Sequence, residues 1–81
     1  MKTRKQAYGN KNIIGKRTEE LRKQKGISQK DMVAQIQVAG IDINPTSYSK
    51  LEGQLRSATD KEVLAIAQVL QIDISELFKK K

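Results

Sequence analysis

Cysteine, histidine and tryptophan are missing from this chain, and proline occurs only once. Without cysteine there is no disulfide staple and no thiolate metal site, a composition that suits a reducing compartment. With no histidine, no glycine-rich phosphate loop and no paired carboxylates outside helix-cap positions, catalysis finds no support. We therefore expect no enzyme, no catalytic residue and no cofactor. A metal site would have to be all oxygen, and no loop gathers the carboxylates for one. Glu19-Glu20 and Asp60/Glu62 are explained instead as solvated or capping groups. Two tyrosines and one phenylalanine make no aromatic platform for single-stranded bases. No run approaches the ~18 apolar residues of a membrane span, and the basic N-terminus lacks the apolar stretch of a secretory signal. The expectation is a cytoplasmic protein with no membrane partner.

What is present is basic charge and helical periodicity. The 81 residues have room for one small domain, and their net charge of +7 favours a polyanionic partner. Residues 1–11 carry Lys2, Arg4, Lys5 and Lys11 with Gly9-Asn10 and no apolar periodicity, which reads as a flexible basic arm. The domain is expected over 12–78, with Lys79-Lys80-Lys81 as a basic tail.

Within 12–78 five helices are predicted, and no strand. Asn12 can cap a helix running to about Lys25 and stopped by Gly26 in the left-handed position. Its inner stripe is Ile14, Thr18 and Leu21, weakened where Thr18 replaces an aliphatic. Ser28 caps a second helix from about Gln29 to Val38, with Asp31 at its positive end and Met32, Val33 and Ile36 inward. Gly40 ends it, and Ile41-Asp42-Ile43 crosses to Asn44. Asn44-Pro45 opens a third helix, because Asn is a favoured cap and Pro is tolerated at the first helical position. On that helix Tyr48, Leu51 and Leu55 share one face, while Thr46, Ser49, Lys50 and Gly53 share the other. Thr59-Asp60-Lys61-Glu62 is a capping box before Val63, Ile66, Ala67 and Leu70. Asp73-Ile74-Ser75-Glu76 repeats the box before Leu77-Phe78.

These residues bring a family into view. Leu21-Arg22-Lys23 before Gly26-Ile27-Ser28-Gln29, then Tyr48-Ser49-Lys50-Leu51-Glu52-Gly53, Ile66-Ala67 with Leu70, and Ile74-Ser75-Glu76-Leu77-Phe78 follow in order. Residues 14–78 thereby resemble the helix-turn-helix domain of phage repressors and Cro-like regulators, the Xre family. The resemblance implies an all-α, compact five-helix, lambda-repressor-like domain whose third helix enters the major groove of DNA. Two features depart from the family pattern. The connection between the second and third helices is longer than in compact members, and Val33 stands where a small residue usually follows the inward aliphatic.

The outward face of the third helix is small and polar with one cation, suited to close approach to a phosphate-lined groove. Thr46 is the best base reader, since its hydroxyl bonds either base type and its methyl meets thymine. Lys50 can reach guanine acceptors or a phosphate. Ser47 and Ser49 complete the base-contact candidates with Pro45, which has no side-chain donor and offers only shape. Phosphate contacts are expected from Gln29 and Arg56, where family members meet the backbone, from Gln54, and from Lys2, Arg4 and Lys5 of the arm. Arg22 and Glu52 match a family pair that bridges the first and third helices.

The sequence therefore predicts a sequence-specific double-stranded-DNA-binding regulator, a repressor, with no catalytic group and no metal. One small helix meets too few base pairs to specify a unique site, so a homodimer on a pseudo-palindrome is expected, formed in solution or only on DNA. Ile72, Ile74, Leu77 and Phe78 either pair between subunits or close the monomer core. The alternative is a helix-turn-helix protein-interaction module, such as an antitoxin-like partner binder, which a large exposed apolar patch would favour.

Overall fold

The computed structural model describes residues 8–79. Four α-helices follow in order: α1 (Gly15–Gln24), α2 (Gln29–Val38), α3 (Pro45–Glu52) and α4 (Asp60–Leu70), then a 3-10 turn over Ile74–Phe78. Among the described residues there is no strand. Lys2, Arg4, Lys5, Lys80 and Lys81 lie outside them.

Each helix begins where a side chain satisfies its free amides. Asn12 Oδ1 accepts from the amides of Ile14 (3.1 Å) and Gly15 (2.8 Å) ahead of α1. Ser28 Oγ accepts from Asp31 N, and Asn44 Oδ1 from Ser47 N with Pro45 in the first turn. At α4 Thr59 and Glu62 exchange bonds with each other's amides, the predicted capping box. Gly26 and Gly40, at φ +70° and +96°, turn the chain after α1 and α2.

The last element differs from expectation. Asp73 accepts from Ser75 N, but Glu76 does not reach back to complete a second box. Its carboxylate is held by Lys79 (2.5 Å) and by Arg17 of α1 (3.4 Å), and Arg17 Nε also donates to Glu76 O. Those cations draw the acid outward, and one 3-10 turn results rather than a fifth α-helix.

One apolar core gathers all these elements: Ile14 just before α1 and Leu21 within it, Met32, Val33 and Ile36 from α2, Tyr48 and Leu51 from α3, Ile66 and Leu70 from α4, and Leu77. Val33 is buried without displacing its neighbours from that cluster, so the larger residue is accommodated. Thr18, also fully buried, has a hydroxyl with no hydrogen-bond partner among the described residues, an energetic liability at the centre of the stripe. The longer connection, residues 39–44, is pinned by buried Ile43, whose carbonyl accepts from Gln37 Nε2 at 2.7 Å.

Residues 8–11, expected as part of a flexible arm, are instead hydrogen-bonded to the end of α3. Gly9 N donates to Gly53 O (2.8 Å) and Lys11 N to Gln54 O (2.9 Å). Tyr8 donates to Glu19 of α1, with the Lys16 ammonium over its ring.

Candidate nucleic-acid interface

The orientation of α3 is set by a buried carboxylate. Glu52, fully buried, accepts from Arg22 Nε (2.6 Å), from the second guanidinium nitrogen (3.2 Å), from Gln29 Nε2 (3.0 Å) and from the Tyr48 hydroxyl. A third Arg22 nitrogen donates to Ile27 O at 2.7 Å. The expected Arg22–Glu52 pair is thus present, and it joins α1, the α1–α2 turn, the start of α2 and the inner face of α3. Burial disfavours the Arg22 charge, yet the bond and attraction from Glu52 outweigh it and raise its pKa. Burial, and then the charge of Glu52, push the Tyr48 hydroxyl far above its ordinary value, so it remains a neutral donor.

The C-terminal end of α3 is held by two amides. Asn12 Nδ2 donates to Leu51 O (3.0 Å) and Arg56 O (2.8 Å). Gln54 Nε2 donates to Asn12 O (2.8 Å), and Gln54 Oε1 accepts from Lys16 N (3.1 Å) in the first turn of α1. The negative end of α3 therefore abuts the positive end of α1, a favourable alignment of helix dipoles. Gly15 makes the approach feasible, because a Cβ there would stand 2.4 Å from Leu51 O.

Helix α3 stops at Glu52 in a Schellman cap: Leu55 N donates to Lys50 O and Gln54 N to Leu51 O, with Gln54 at φ +59°. This shifts two residues from their expected places. Gly53, assigned to the outward face, is buried against Gly9, and Leu55, assigned inward, is 44% exposed. The left-handed position falls on Gln54 rather than on the glycine before it, and nothing in the residue types signals that.

Of the expected phosphate contacts, three are engaged within the fold. Gln29 bonds Glu52 and Gln54 bonds the α1 junction, as above. Arg56 donates from two nitrogens to the Glu62 carboxylate (2.9 and 2.8 Å) and from Nε to Ser47 O (3.0 Å). Burial opposes the Glu62 charge, but Arg56 and Thr59 outweigh it and hold its pKa below the ordinary value. Arg56 thus braces the loop after α3 against α4. The Arg56–Glu62 pair escapes sequence reading because it spans an irregular loop with no periodicity.

The expected base-contact residues stay together. Pro45, Thr46 and Lys50 are exposed, and Ser47 and Ser49 half-buried. Among the described residues no hydrogen bond or ion pair engages the side chains of Thr46, Ser47, Ser49 or Lys50. An open concavity of about 580 Å³ lies against Pro45, Thr46, Ser47, Lys50, Leu55 and Arg56. The surface offers hydroxyls, one ammonium and apolar carbon, all uncommitted, on a rigidly held helix.

A second, more apolar groove of about 390 Å³ lies elsewhere, lined by Ile13, Ala58, Val63 and Phe78 among others. Ile13 is 75% and Phe78 49% exposed. Of the C-terminal apolar residues, Leu77 closes the monomer core and Ile72 packs against it, while Ile74 and Phe78 remain outside. No helix among the described residues is long and apolar enough to cross a membrane, and no group of histidine, cysteine and acidic side chains among them could hold a metal ion.

A family model described as helix-turn-helix matches residues 19–77. No curated protein and no solved structure matches the chain.

Proposed function

The chain belongs to the Xre/Cro-like helix-turn-helix family of DNA-binding regulators, and from that premise we propose that it is a sequence-specific repressor of transcription that inserts α3 into the major groove. The observation that carries the reading is the contrast on α3. Its inward and C-terminal groups are bonded, whereas among the described residues no hydrogen bond or ion pair engages the side chains of Thr46, Ser49 and Lys50, and Thr46 and Lys50 line an open concavity. Thr46 reads a base edge with its hydroxyl and methyl, and Lys50 reaches guanine or phosphate. Pro45, Ser47 and Ser49 allow close approach. The +7 charge, to which Lys2, Arg4 and Lys5 contribute, supplies attraction to phosphates. Gln29, at the start of α2, meets a phosphate with its backbone amide or with the second N–H of Nε2, the first being bonded to Glu52. The repressor acts as a homodimer on a pseudo-palindrome, since eight residues of helix meet too few base pairs alone.

Selection of bound duplexes from random DNA, followed by titration against salt, tests this. Affinity for the selected site should fall by about 0.9 log units per log salt for each phosphate neutralised. Thr46→Ala should cost ~1–2 kcal/mol on that site and little on random DNA. Undetectable or salt-insensitive duplex binding would refute the proposal. The groove at Ile13 and Phe78 would then favour the second reading, a protein-interaction module of antitoxin-like kind.

A further inference from the structure

Leu55 is an anomaly on the DNA-facing side. In a Schellman cap the residue at its position normally buries its side chain on the residue that accepts its amide bond. Here that residue is the exposed Lys50, whose carbonyl accepts from Leu55 N at 2.8 Å, so a cation replaces the apolar partner usual at that position. A Cβ added at Gly9 would stand 3.1 Å from Leu55 Cδ2, so one methyl lies against the backbone there. The rest of the side chain stays 44% exposed and lines the same concavity as Pro45, Thr46 and Lys50. Two apolar residues, Pro45 and Leu55, therefore flank a hydroxyl and an ammonium around one hollow.

We propose that Leu55 is a specificity-determining residue that packs on the C5-methyl of a thymine in the bound duplex. The inference rests on the reading of α3 as the DNA-binding helix and adds to it a reader outside that helix. The major groove presents one apolar group, the thymine methyl, and the hollow pairs apolar carbon with a cation that meets the neighbouring phosphate or guanine. Because the cap's two backbone bonds and the positive φ of Gln54 fix the Leu55 backbone, the side chain is presented with little freedom to lose on binding.

The experiment uses the full chain on its selected duplex, with each thymine replaced in turn by deoxyuracil, which deletes only the methyl. For the parent protein one thymine per half-site should show a loss of about fourfold in affinity, the worth of one buried methyl-sized group. Leu55→Ala should bind the parent duplex correspondingly more weakly and be indifferent to deoxyuracil at that one position, while Leu55→Met retains the discrimination. Thermal melts of both variants establish that they are folded. A selected site without thymine in either half, or a deoxyuracil effect that persists in Leu55→Ala, overturns the assignment while leaving duplex binding intact. Failure of the parent to bind any duplex refutes the reading of α3, and this inference falls with it.

Discussion

Arg22→Ala should remove a large share of the stability of the domain. The substitution strips Glu52 of its 2.6 and 3.2 Å bonds and of its only ionic partner among the described residues. Two neutral donors, Tyr48 and Gln29, are left to hold a fully buried carboxylate. Removing one partner from a buried ion pair costs ~3–5 kcal/mol, because the other charge stays uncompensated. The bond that ties Arg22 to Ile27 O is lost as well. A domain of this size has a total stability of roughly 4–12 kcal/mol, so the variant sits close to its unfolding threshold. Urea denaturation at neutral pH, extrapolated linearly to water, gives the number. Replacing both partners, as Arg22→Met with Glu52→Leu, should recover most of the loss, since the cost lies in the orphaned charge rather than in the missing attraction. A decrease below about 1 kcal/mol, the scale of a surface pair, would refute the reasoning. So would a double variant less stable than Arg22→Ala alone.

Three further outcomes follow from the same core. The Tyr48 hydroxyl titrates above its unfolded value, so its contribution is complete below about pH 10 and is lost as pH rises beyond that, at ~1.4 kcal/mol per pH unit. Melts from pH 9 upward should show a steeper decline for the parent than for Tyr48→Phe, and equal slopes would contradict the buried placement. Thr18→Val exchanges an unpartnered hydroxyl for a methyl of the same shape and should stabilise by about 1 kcal/mol in urea denaturation. Gly15→Ala brings a Cβ to 2.4 Å from Leu51 O and 2.6 Å from Glu52 O. It should lower the melting temperature by the equivalent of ~1–3 kcal/mol, although alanine favours helix over glycine.

The sequence is most informative where a short-range rule acts alone. The caps at Ser28, Asn44 and Thr59 are read correctly because each needs only a side-chain oxygen a few residues before a free amide. The inward residues Met32, Ile36, Tyr48, Ile66 and Leu70 follow from 3.6-residue periodicity. Reading fails where two distant segments compete for one group. Glu76 has the spacing of a capping box, but Arg17, far away in sequence, binds its carboxylate. Gln54 and Arg56 look like free polar side chains in a loop until Asn12, Lys16 and Glu62 are brought to them. Continuing the helical period past Glu52 puts Leu55 inward, but the left-handed Gln54 ends that period. The exposure of Thr46 and Lys50 follows from the same periodicity that turns Tyr48 and Leu51 inward.

The way α3 is held has an evolutionary consequence. Its anchorage uses Tyr48, Leu51, Glu52 and the backbone at its C-terminal end, all on one side. Among the described residues the side chains of Thr46, Ser49 and Lys50 contribute no bond to that anchorage. Substitutions at such positions usually change stability by less than about 0.5 kcal/mol, so drift there is not purged for misfolding. If α3 reads DNA as proposed, a lineage carrying this scaffold can exchange one target for another through single steps, each leaving a folded protein, while the anchoring residues stay the same.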